Sequence, residues 1–190
     1  MRRSFTQEAV FQVEDELING SGAGRPLGVI ASDATIEVAK ESGQPASTVV
    51  AANLKNMAHR LWSASHANGV WLMGNDAYAQ IADAQFANGV PIVTTGANGH
   101  QYILGLPLVL SEYTAALGTV GDIVLADMSQ YLVGEEAPNF ISSIHVRFIY
   151  HEGVFRFRWR VDGQPAWKSP VTPKNSATTQ SPFVMLAERA

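Results

Sequence analysis

The chain has no cysteine, which removes disulfides, thiolate zinc sites, iron–sulfur clusters and a cysteine nucleophile. Charge is sparse as well: 16% of residues are charged and the net charge is −4. A chain of that sign is no general polyanion binder, so any affinity for nucleic acid needs a local basic patch. No run approaches the roughly 18–20 apolar residues of a membrane-spanning helix. The opening MRRSFTQEAV carries two arginines but no apolar core of a secretory signal, and without one the Asn19-Gly20-Ser21 sequon is a chance match. H-E-x-x-H, H-x-H and G-x-S-x-G patterns are all missing. What remains is ordinary: 190 residues, 46% of them hydrophobic, enough to bury a core in one domain or two small lobes.

The pattern predicts mixed α and β structure. Residues 4–18 read as a helix, with Ser4 and Gln7 spaced for a capping box and Val10, Val13 and Leu17 on one face. A second helix is expected over 47–67, capped by Ser47 or Thr48, with Val50, Leu54, Met57 and Leu61 as its buried stripe. A third is expected over 76–87, capped by Asn75 and burying Ala79, Ala82 and Phe86. VWLM (70–73), PIVTT, YILGLPLVLS, DIVLAD, QYLVGE and FVML (183–186) are short strand candidates. The segment 141–162 alternates apolar and polar residues on both sides of Glu152-Gly153, which predicts a long hairpin turning there. Residues 168–182 are polar and proline-rich and read as a loop.

The densest local signal is INGSGAGRPLGV (18–29), with Gly20, Gly22, Gly24 and Gly28. A dinucleotide loop needs G-x-G-x-x-G between a strand and a helix, and a Walker loop ends in G-K-[ST]. Here the glycines follow a helix, Arg25 stands where the third glycine belongs, and RPLG replaces the lysine. Their expected role is therefore conformational: positive φ and tight turns. The histidines, His59, His66, His100, His145 and His151, lack a metal-ligand spacing. Glu14, Asp15 and Glu16, and Glu135 with Glu136, read as solvated charge rather than an acid–base pair. Arg147, Arg156, Arg158 and Arg160 form a basic row on the hairpin. Two readings stay open: the row neutralises phosphates without reading bases, or it keeps the face soluble and pairs with acids on neighbouring elements or subunits. No cofactor, metal, small-molecule ligand or membrane partner is expected.

Five segments in order resemble the Hong Kong 97-type major capsid proteins of tailed bacteriophages: VEDELINGSGAGRPLGVI (13–30), VWLMGNDAYAQIADAQFANGVPIV (70–93), ILGLPLVLSEY (103–113), GTVGDIVLADMSQYLV (118–133) and FRFRWRVDGQPAW (155–167). The resemblance implies an α+β fold. A peripheral lobe, made of a spine helix and a long β-hairpin, would take 1–32 and 141–190. An axial lobe, a mixed sheet with flanking helices, would take 33–140. The four glycines would form the crossing between the lobes. It implies a structural subunit whose partners are copies of itself, in hexamers and pentamers of an icosahedral head around double-stranded DNA. Such a subunit belongs to the virion capsid, and to the bacterial host cytoplasm before assembly. The arginine row would meet DNA or a neighbouring subunit, and capsomer contacts would fall on loops 95–100 and 111–122. Met1 falls inside the expected spine helix, so the N-terminal arm, the extended loop and most of that helix are expected to be absent. Alternatives are an encapsulin-type nanocompartment shell, a small α/β enzyme, or a free-standing nucleic-acid-binding domain.

Some members of that family cross-link through a lysine of the extended loop and an asparagine assisted by a glutamate. Ser143 and Tyr150 stand near the last two positions, so no autocatalytic cross-linking is expected. Assembled material should run as one band on a denaturing gel; a covalent ladder contradicts this.

Overall fold

A computed structural model describes residues 2–86 and 88–190, Arg2 by its backbone alone. Helix α1 runs Arg2–Asn19, followed by strand β1 (Ile36–Val38), helix α2 (Ala51–Arg60), strand β2 (Val70–Met73) and helix α3 (Asn75–Ile81). Strands β3 (Val93–Thr95), β4 (Gln101–Ile103), β5 (Leu106–Leu110) and β6 (Ile123–Ala126) come next. The chain ends with two long strands, β7 (Tyr131–Ser143) and β8 (Val154–Pro165), and a short one, β9 (Phe183–Leu186).

The short strands form one seven-stranded sheet in the order β1-β9-β6-β2-β5-β4-β3. β1 with β9 and β2 with β5 are parallel; the other pairs are antiparallel. The runs IVLA and FVML lie in its centre and are buried on both faces. Their two-residue alternation sends Ile123, Leu125, Val184 and Leu186 to one face, with Trp71, Met73 and the α2 residues Leu54 and Met57. It sends Val124, Ala126, Phe183 and Met185 to the other, under Val29 and Ala34. Continuous apolar runs are what a strand covered on two sides requires. Trp71 is fully buried and donates its indole N–H to the Ile103 carbonyl at 3.0 Å.

β7 and β8 pair only with each other, as a two-stranded ribbon. Here the structure departs from the sequence expectation. The first ribbon strand ends at Ser143, and residues 144–153 are the connection, with a 3-10 turn at Phe148–Tyr150. Ile144, Val146, Phe148 and Tyr150 alternate like a strand yet lie in that connection. The partner of FRFRWRV is instead the less patterned YLVGEEAPNFISS. Its register slips by a bulge between Glu136 and Asn139, where Pro138 cannot donate to a ladder. Residues 131–140 belong to the ribbon, and β9 belongs to the seven-stranded sheet.

The helices shift too. α1 begins before Ser4, so Ser4 is not its cap, and Val10 is exposed while Ile18 is buried. α2 starts after Val50, whose N–H is accepted by Asn53 Oδ1 at 3.1 Å in place of a Ser47 or Thr48 cap. It stops at Leu61 because the chain turns extended there, and Trp62 N–H donates to Ser181 O at 2.9 Å. α3 is short and buries Ala77 and Ile81 rather than Ala79 and Ala82. It ends early where the chain folds back, with Ile92 N–H donating to Ala84 O at 3.0 Å and Phe86 N–H to Val90 O at 2.8 Å. Residue 87, the expected end of that helix, lies outside the described residues.

One buried ion pair ties distant segments. Arg189 and Asp122 are both fully buried and pair through Nη2 and Oδ2. Arg189 Nε also donates to Thr48 O at 2.7 Å, and Nη1 to Ala187 O at 3.0 Å. Asp122 Oδ2 accepts the Gly118 N–H at 2.9 Å. Removing one member of such a pair strands the other charge and costs about 3–5 kcal/mol, whereas replacing both by apolar residues of similar volume costs far less. Asp122→Ala should therefore lower the thermal midpoint by on the order of 10 °C, and Asp122→Leu with Arg189→Met should recover most of it. Equal loss in both variants, read by thermal unfolding, contradicts a stranded charge as the cause.

Candidate assembly interface

The glycine loop positions the ribbon. Gly22 and Gly24 adopt φ of 75° and 72°, the left-handed region that side chains disfavour. Gly20 and Gly28 are needed for close approach instead. A Cβ on Gly20 would lie 2.2 Å from Pro26 O, and one on Gly28 would lie 2.5 Å from Ile18 O. The loop thus turns back on the end of α1, with Ile30 N–H donating to Ile18 O at 3.1 Å. It then meets the ribbon base. Leu27 N–H donates to Gly163 O at 2.8 Å, and the Tyr131 hydroxyl donates to Leu27 O at 2.8 Å. Gly163 faces the Tyr131 ring so closely that a Cβ there would sit 2.6 Å from Cε1. Burial, with the Asp162 charge adding, pushes the Tyr131 phenol up to about 12.

From that base the ribbon runs out with two unlike faces. Phe155, Phe157, Trp159 and Val161 share one face with Phe140 and Glu135. α1 covers part of it: Phe5 meets Phe157 edge-on at 4.6 Å, and the Trp159 indole N–H donates to Glu135 Oε1 at 3.0 Å. The opposite face carries Arg156, Arg158 and Arg160 beside Ile141, Asn139 and Glu136. Arg158 pairs with Glu136, and Arg160 Nε lies 3.8 Å from the same carboxylate. Arg156 has no ion pair among the described residues. Arg147 does not join the row; it sits in the connecting turn and pairs with Glu152 at 2.9 Å.

Sequence reasoning missed the end of the ribbon. Ile144, Val146, Phe148, Ile149 and Tyr150 are 64–80% exposed, and Ile141 and Phe155 beside them are at least half exposed. Contiguous apolar surface on this scale marks a contact site. The signal was in the sequence, but the alternation hid it by reading as the buried face of a strand.

A second tie holds α1 to the sheet body. The Tyr113 ring meets Phe11 at a tilt of 57° and 5.1 Å, its hydroxyl donates to Glu14 Oε2 at 2.8 Å, and Asn19 Nδ2 donates to its carbonyl at 2.8 Å. Expected loops 95–100 and 111–122 bracket the outer end of β3–β5, and 97–100 are exposed. A polar cleft of about 580 Å³ lies between Gly74–Ala77 and Leu110–Leu117, and its only charged side chains are Asp76 and Glu112. No His, Cys, Asp or Glu cluster among the described residues could hold a metal ion, and the five histidines are exposed and scattered. No described helix is long and apolar enough to cross a membrane.

The sequence matches the phage capsid family over residues 1–174. No curated protein sequence matches it. Among solved structures it is similar to the capsid of an empty GTA particle computed with C5 symmetry, at 13% identity and TM-score 0.72 over 100% of this chain and 65% of that one. The capsid of the native GTA particle matches at 14% identity and 0.72, over 100% and 64%. The holo-SrpI encapsulin complex from Synechococcus elongatus PCC 7942 matches at 17% and 0.62, over 99% and 65%. The chain therefore shares their fold and spans about two thirds of their length.

The suppressed ionisation of Tyr131 has a measurable consequence. An acid whose ionisation the fold holds back favours the fold while neutral, so this contribution is complete below pH 10 and fades as pH rises through about 12. Burial and the hydrogen bond to Glu14 push Tyr113 up to about 12 as well, so a phenolate absorbance titration should show a late component that Tyr131→Phe reduces by about half. An unchanged titration curve in that variant contradicts the placement.

Proposed function

Because the chain belongs to the phage capsid family, we propose that it is a structural subunit of a bacteriophage-type head and not an enzyme: a major capsid protein that packs with copies of itself into hexamers and pentamers around double-stranded DNA. The apolar end of the ribbon carries this reading. Its side chains reach 80% exposure at Ile149 and need a protein surface to cover them. Arg147 and Glu152 cancel each other there, so like patches on further copies meet without repulsion. α1, the glycine loop and the ribbon act as the peripheral lobe, and the seven-stranded sheet with α2 and α3 as the axial lobe. Gly20, Gly22, Gly24 and Gly28 form the crossing, and loops 95–100 and 111–122 make capsomer contacts. The protein works in the virion shell after assembly in the bacterial host cytoplasm.

The arginine row fits a protein contact better than packaged DNA. Glu136 already engages Arg158 and Arg160, and Arg147 is engaged at the turn. The expected count of freely neutralised phosphates is therefore about one, with a salt slope near −1 for duplex DNA. An encapsulin-type shell is the second reading, supported by the likeness to the holo-SrpI complex; co-purifying cargo protein in place of nucleic acid would favour it.

The test is light scattering across a concentration series. The chain should form multi-subunit species, and Ile149→Asp with Val146→Asp should hold it monomeric with an unchanged circular dichroism spectrum. A wild-type chain that stays monomeric throughout overturns the reading, as does undiminished assembly by the double variant for the ribbon end.

A further inference from the structure

The two outer edges of the ribbon are built differently. Leu27 N–H reaches the Gly163 carbonyl, so Gly163 faces away from β7. Backbone groups alternate sides along a strand, so Val161, Trp159, Phe157 and Phe155 face away as well. Arg160, Arg158 and Arg156 then carry the ladder to Glu136, Asn139 and Ile141. Among the described residues no further strand pairs with either edge. The outer edge of β7 is broken by the bulge between Glu136 and Asn139, with Pro138 inside it. Proline, bulges and edge charge are what block strand addition. From Phe155 to Val161, β8 has no proline, and the register slip lies on its partner; its edge charge is three arginines, which turn away a basic strand and suit an acidic one. A ribbon of two strands is marginal by itself.

We propose that the outer edge of β8 over Phe155–Val161 accepts an extended strand of a second capsid subunit, with acidic side chains on the arginine face and apolar side chains on the α1 face. Side-chain chemistry selects the occupant. Three arginines share that face with two carboxylates, Glu136 and, just beyond Val161, Asp162, whose Oδ1 accepts the Gly163 N–H. A second β8 would set arginine against arginine, and like charges directly opposite destabilise a strand pair. A strand alternating acid with apolar residue satisfies both faces while its backbone completes the edge. The Leu27 rung shows that the edge accepts a backbone donor in this geometry. Naming a capsid subunit as the donor rests on the function proposed above; the competence of the edge does not.

The experiment uses the isotope-labelled chain and two synthetic peptides of about nine residues, long enough at ~3.4 Å per residue to span the edge. One alternates Glu with Val, the other Lys with Val. The Glu/Val peptide should slow amide exchange of Phe155, Phe157, Trp159 and Val161 and bind about tenfold tighter than the Lys/Val peptide. Arg156→Glu with Arg160→Glu should reverse that preference. Val161→Pro, which removes an outward N–H and leaves the ladder to β7 intact, should weaken the Glu/Val peptide by about tenfold. Absence of protection at these amides, equal binding of both peptides, or indifference to Val161→Pro overturns the proposal. A chain that self-assembles yet fails this test keeps its shell role and loses only the edge.

Discussion

A two-stranded ribbon has two faces and two edges to satisfy, and this chain satisfies only part of them. α1 covers the apolar face near Phe157, and Leu27 takes one rung of the β8 edge at Gly163. Beyond those contacts the ribbon carries its apolar end into solvent. Strands in water are held by neighbours on a face or an edge, and among the described residues that cover is incomplete. The rest of the molecule is arranged around presenting that unfinished element.

The seven-stranded sheet is the contrasting half. Its central strands are covered on both faces, and its segments are locked by the Arg189–Asp122 pair. Between sheet and ribbon stand a small number of joints: the glycine loop, Tyr131 on Gly163, and Tyr113 against α1. These hydrogen bonds and close contacts join α1 and the ribbon base to the sheet body. A rigid body with a projecting, self-insufficient arm suits a shell, where each subunit supplies what its neighbour lacks.

Much of this was legible in residue patterns, and the failures are informative. The doubly buried runs IVLA and FVML read as strands because apolar continuity is itself the signal. The role of the glycines followed from the absence of a phosphate-loop pattern, and the close contacts at Gly20 and Gly28 give it a steric basis. The ribbon was misread because period-two alternation marks a strand only when something covers its apolar face. Ile144, Val146, Phe148 and Tyr150 alternate, but no described residue covers them, and they lie in the connection between β7 and β8. Their true counterpart, Tyr131–Ser143, is disguised by Gly134, paired glutamates and Pro138. Helix ends failed where tertiary pairing overrode local capping, as at Leu61 against Ser181.

The most direct measurement is amide hydrogen exchange over residues 141–155 as protein concentration rises through assembly. The account predicts that these amides become protected together with the appearance of multi-subunit particles. Exchange at the rate of the isolated chain inside assembled particles would contradict it, because the apolar end of the ribbon would then not be the surface that joins one copy to the next.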